Sequence, residues 1–302
     1  MILRALAALA LGGLHLILLP AFIPPLHAQQ FTTVSPELVS RYKQTLATDQ
    51  GNLTFRYLPG AALLQATQNE AALKELQAAY PAYQENAEAH YNHTIASLRL
   101  VDLFSADTSL GQVECLSAAD LPGVFPIADL YFNMALRSQE QGNANEAIRF
   151  FHKVIALAPE RYEVYRQLGD LYAQRGDTEL AIKSFGTYLG QFPRDPVSRD
   201  YLFALEFNRA QDLLNMNDFA NAAVGFSAAL DIQPGSPTVF YYLGFIAYAQ
   251  NHPEQATELL HKAFVAADET LQQTIRPLLY NSALALRKSG KTKAALNALS
   301  IL

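Results

Sequence analysis

The sequence predicts an all-α solenoid of about seven helix-turn-helix units in tandem. Two observations carry this. Residue types recur at a fixed spacing: Pro159 and Pro193, Ala147 and Ala181, Phe151 and Phe185, Gly142 and Gly176, and Tyr131 and Tyr165 are each 34 residues apart. Glycine and proline also hold fixed offsets within that period, where they end helices and turn the chain. A period of this length holds two helices and their turns. Such a unit cannot bury its apolar face alone, so it stacks on its neighbours.

Composition narrows the partners. Half of the 302 residues are apolar, and 22 Lys and Arg stand against 28 Asp and Glu for a formal charge of -6. Nucleic acid needs a basic surface, so it is not an expected partner. Cys115 is the one cysteine. It can form neither an internal disulfide nor a cysteine-based zinc site, and it is expected to be a small filler or a free thiol.

The N-terminus resembles an address. Met1 to Arg4 supply a short positive start, Ala5 to Leu19 form an apolar run, and Pro20, Pro24 and Pro25 break any helix. Leu26-His27-Ala28 then places a small residue before Gln29-Gln30. This is the layout of a secretory signal peptide with cleavage near Ala28. The expectation is an exported, periplasmic chain of the bacterial cell envelope with a soluble mature part. The rival reading is an uncleaved membrane anchor, for which the run is short. Residues 29–52 are expected to form a capping helix, with Ser35 as its cap and Pro36 at its first position.

The repeats follow in order. Copies start at Leu53, Ala87, Ala128, Tyr162, Phe203, Pro237 and near Arg276. The best runs from Tyr162, with Tyr165, Leu168-Gly169, Tyr172, Gly176, Ala181, Phe185 and Pro193. Small residues at Gly169 and Ala181 let the two helices cross, and Tyr172 and Phe185 fill the space beside them. The spacings alternate between 34 and about 41, so extra residues over 113–127, 194–202 and 268–275 should be loops or helix extensions. The copies from Leu53 and Ala87 are degenerate. Pro59 should kink the first helix of one, and His93 and Thr94 replace the expected Leu and Gly in the other. The organisation is a leader over 1–28, a cap over 29–52, two degenerate copies and a loop over 53–127, and an array over 128–302. The array divides into 128–161, 162–202, 203–236, 237–275 and a partial 276–302.

This pattern resembles the tetratricopeptide repeat, and the resemblance covers nearly the whole chain after residue 53. It implies a right-handed superhelix with a concave face lined by first helices, built to bind other proteins or peptides. In that family the fifth residue of each copy faces the groove. Here these are Tyr57, Tyr91, Phe132, Arg166, Phe207, Tyr241 and Tyr280, and Phe245 lies one turn beyond Tyr241. Aromatic anchors of this kind suit a peptide or helix with apolar side chains. The same ladder is equally compatible with packing between repeats. Arg166 alone supplies a cation at the fifth position, which argues against capture of a carboxylate terminus.

No phosphate loop, nucleophile elbow or metalloprotease motif appears, and neither an enzymatic activity nor a cofactor is expected. His90 and His93 are close enough on one helix to share a metal but fall at core positions, so a packed pair is the expectation. An accessory subunit that positions an envelope enzyme in secretion, pilus or cell-wall assembly is the alternative function. The apolar last helix, Thr292 to Leu302, offers self-association as another.

Overall fold

The computed structural model describes residues 58–302 except 66, 83, 85, 121–125 and 301, together with Ser40 and Gln44. The leader, most of the capping segment, Tyr57, and Pro122 and Gly123 of the expected loop lie outside the described residues. Among those described there are fourteen α-helices and no strand. The first pair is α1 (Leu58–Gln65) and α2 (Asn69–Ala79), followed by a 3-10 turn, Tyr80–Ala82. Then come α3 (Ala87–Arg99) and α4 (Leu103–Asp120), and α5 (Ile127–Glu140) and α6 (Ala144–Leu157). The later pairs are α7 (Glu163–Arg175) with α8 (Thr178–Gln191), and α9 (Pro196–Asn215) with α10 (Phe219–Ile232). The last are α11 (Pro237–Ala249) with α12 (Pro253–Ala266), and α13 (Glu269–Lys288) with α14 (Thr292–Leu299). They divide into two compact units, one reaching Phe150 and one beginning at Phe151.

The repeat positions explain the pairs. The twentieth residue of each copy is alanine: Ala72, Ala106, Ala147, Ala181, Ala222, Ala256 and Ala295, all 2% exposed or less. Only a methyl group fits where the backbones of the two helices approach. The large residue four places on then covers the small residue of the first helix. A Cβ on Gly60 would meet Leu76 Cγ at 2.5 Å, and one on Gly244 would meet Leu260 Cγ at 2.7 Å.

The turns within the pairs share one conformation. The fifteenth residue of every copy has positive φ: Thr67 (60°), Val101 (61°), Gly142 (77°), Gly176 (86°), Asn217 (62°), Asn251 (61°) and Gly290 (82°). Gly176 caps α7 in this left-handed state at no steric cost. Asn217 and Asn251 tolerate it, whereas a β-branched Thr67 or Val101 does not adopt it readily. The second helix of two pairs then opens on a side-chain cap. Asp102 accepts from Ser105 N–H at 3.1 Å, and Asp218 from Asn221 N–H at 3.2 Å.

Two of the longer joins are helix extensions, one of the two forms expected. The extra residues before Phe203 and Arg276 are helical, which makes α9 and α13 20 residues long. Asp195 and Asp268 cap these extended helices, accepting from Ser198 and Leu271 N–H at 3.0 and 2.8 Å. As a result Pro277 lies inside α13. Pro59 lies in the first described turn of α1, and the residues before Leu58, on which the expected kink depends, lie outside the described residues.

Candidate functional site

In the second unit the first helices α7, α9, α11 and α13 carry the expected binding side chains. Their fifth positions hold Arg166, Phe207, Tyr241 and Tyr280, and the structure treats these four differently. Phe207 is 9% exposed. Its ring stacks on Phe203 at 5.8 Å and meets Phe226 and Tyr242 edge-on at 5.5 and 5.6 Å. It therefore joins α9, α10 and α11 from inside and presents little surface. Tyr241 is half-buried, edge-on to Tyr242 at 5.2 Å, and packs on the apolar cluster of α12 and α13. Burial, with Tyr242 beside it, raises its phenol above the ordinary range. Phe245 and Tyr280 are open, 36% and 48% exposed.

Arg166 is half-buried, and one turn further along α7 stands Asp170. Burial pushes the Asp170 carboxyl up to about 6, with Arg166 opposing the rise and Asp195 adding to it. This end of the expected lining is thus polar and poorly solvated, while the α11 end is aromatic.

The first unit gives a mixed picture. Tyr91 on α3 is buried, and that burial, with Asp129 nearby, raises its phenol. Phe132 on α5 is half-buried. His90 and His93 are both buried in the α3–α4 pair, as their core positions lead one to expect.

Two residues belong with the aromatic end although the fifth-position rule misses them. Tyr248 lies seven residues after Tyr241, on the same helical face, and is 37% exposed. The i, i+4, i+7 spacing of Tyr241, Phe245 and Tyr248 is the signal that finds it. Tyr242 is the organiser behind that face. Its ring stacks on Phe226 at 5.0 Å, and its hydroxyl accepts a hydrogen bond from Gln211 Nε2 at 2.9 Å. Tyr242 is not among the residue types that recur at the 34-residue spacing, so the repeat pattern does not point to this role.

Comparison with known proteins places this architecture. Residues 139–199 match the family described as tetratricopeptide repeat. The photosystem I assembly protein Ycf3 of Prochlorococcus marinus (strain NATL2A) is 27% identical over 118 residues, 36% of this chain and 68% of that protein. The crystal structure of MamA superposes with a TM-score of 0.40 at 22% identity, covering 52% of this chain and 88% of the other. A tetratricopeptide repeat protein from Parabacteroides merdae ATCC 43184 gives a TM-score of 0.38 at 15% identity, over 81% of this chain and 91% of the other. Proteins of this kind generally act by binding other proteins. Residues 139–199 are thus a tetratricopeptide-repeat segment, and its alanine crossing and left-handed turn recur at the same offsets in the other copies.

Proposed function

We propose that this chain is a non-catalytic interaction scaffold of the bacterial cell envelope, which holds a partner peptide or helix against the first helices of its second unit. The observation that carries this is the row Tyr241, Phe245 and Tyr248 on α11, joined by Tyr280 on α13. Phe245, Tyr248 and Tyr280 are each more than a third exposed. Rigid aromatic side chains supply large contact area at low entropic cost, and they dominate interface energies. Phe207 and Tyr91, being buried, serve this role only by holding the helices in place. Export rests on the leader-like segment Met1 to Ala28. No helix among the described residues is long and apolar enough to cross a membrane.

The test is site-specific photocrosslinking in the native host, with a probe replacing Tyr241 and a control replacing Lys262. Lys262 lies on α12, exposed, and pairs with Glu258 at 2.7 Å. Capture of a discrete protein at Tyr241 but not at Lys262 supports the proposal. Capture at neither site, or equally at both, overturns it. N-terminal sequencing of the mature protein tests export, with Gln29 the expected first residue.

The name of one relative favours a second reading, in which the bound proteins are subunits on their way into a complex. Partners that leave the chain once their complex is complete distinguish such an assembly role from a permanent scaffold.

A further inference from the structure

The pair α3–α4 closes on a polar crossing. Where α7 and α11 place Leu168-Gly169 and Leu243-Gly244, α3 places His93 and Thr94. Both are buried, and so are His90, Ser97 and Ser109 around them. Thr94 donates its hydroxyl to the His90 carbonyl at 2.9 Å. Across the crossing, the Ser109 hydroxyl of α4 lies 2.8 Å from Nδ1 of His93, and Ser97 lies at 3.5 Å. A neutral His93 with its proton on Nε2 accepts from Ser109 and ties the two helices together. Val101, β-branched and at φ 61°, forms the turn that joins them, a backbone state such residues resist. Phe104, in the first turn of α4, is 83% exposed.

We infer that α3–α4 is an acid-sensitive joint: when His93 takes up a proton, a charge is placed in the buried crossing and α3 parts from α4, while pairs without a buried histidine stay closed. The proton on Nδ1 reverses the bond, so that the Ser109 hydroxyl accepts instead of donating, and it places a charge in a crossing packed with uncharged groups, which is the cost of protonation. The ionisable groups acting on His93 are few. His90, one turn earlier on α3, opposes a second charge, and Asp102 in the turn favours it. On α4, Asp107 is paired with Arg149 at 2.8 Å, and Glu114 bonds to Tyr131. From the α1–α2 side, Tyr80 meets the His90 ring edge-on at 5.7 Å, and Arg99 of α3 donates to the Leu64 carbonyl at 3.0 Å. Burial outweighs Asp102, so His93 is held below its ordinary range. The open pair then binds the proton more readily than the closed one, and closure weakens as pH falls below the ordinary histidine value of about 6.5.

Hydrogen-exchange mass spectrometry on the purified full chain tests this at about pH 7 and about pH 5, with the intrinsic pH dependence of exchange divided out. The segments compared are α3–α4 and α9–α10, the latter containing no histidine. Opening of α3–α4 is expected to rise several-fold at the lower pH while α9–α10 stays level. His93→Leu, which restores the residue found at Leu168 and Leu243, is expected to abolish the rise. So is His93→Gln, which keeps an acceptor for Ser109 but cannot titrate. The inference is overturned by equal opening at both pH values, by a rise shared with α9–α10, by a rise that survives both His93 variants, or by one that only His90→Gln removes.

Discussion

A Cβ added to Gly169 would lie 2.9 Å from Cδ2 of Phe185. The ring of the second helix rests directly on the backbone of the first, and Phe185 is itself fully buried and stacked on Tyr201 at 5.8 Å. One glycine therefore sets how closely α7 and α8 approach and where α9 docks.

Gly169→Ala is expected to destabilise the chain by about 1–3 kcal/mol, although alanine is the better helix former. Gly186, in the middle of α8, has nothing within 4 Å of its missing Cβ. Gly186→Ala should therefore stabilise by up to about 1 kcal/mol. Urea unfolding of the two variants measures both, and opposite signs are the expected result.

Phe207 and Phe245 test which aromatics are structural. Phe207→Ala removes a buried ring from the junction of three helices and should cost about 3–5 kcal/mol. Phe245→Ala should change stability by no more than about 1 kcal/mol and act on partner capture instead. A large loss of stability for Phe245→Ala in a thermal melt would falsify its assignment to an open binding face.

The turn at Val101 holds a removable cost. Valine in the left-handed region is disfavoured by about 1–2 kcal/mol, and glycine is not. Val101→Gly is expected to raise the melting temperature. Gly176→Val, at φ 86° in the matching turn, should lower it by a comparable amount.

Asp170 makes stability pH-dependent. Its carboxyl titrates at about 6 in the folded chain against an ordinary value of 3.8. The folded state binds the proton more tightly, so the contribution is full below about pH 4 and is lost as pH rises through about 6. The loss is on the order of 1–3 kcal/mol, since the group is partly solvated. Asp170→Asn should flatten that part of the curve in a pH series of urea midpoints.

Much of the fold was legible because repetition multiplies weak signals. A lone Ala256 says little, but seven alanines at the same offset mark seven crossings. The start of α9 was harder to read, because the seven residues before Phe203 offer no repeated landmark and their helix is fixed by the Asp195 cap. Asn217 and Asn251 are less legible as turn residues, because asparagine tolerates the left-handed state without marking it as glycine does. The binding face was only half legible. Periodicity assigns Phe207 and Tyr241 the same position, yet Phe203, Phe226 and Tyr242 close over one and leave the other partly open. Such differences arise from neighbours on other helices, which a position within one repeat does not encode.

The short turns within the pairs also bear on how the molecule is made. Asn217 and Asn251 each sit in a turn only three residues long between two helices, and α10 and α11 are then joined through Phe226 and Tyr242. Native contacts of this kind have small separations along the chain, so little loop entropy opposes their formation and folding is fast. A ribosome or a translocation channel releases the chain from one end. Each pair can close as it emerges, before the residues behind it are available, leaving little apolar surface to wait unpaired.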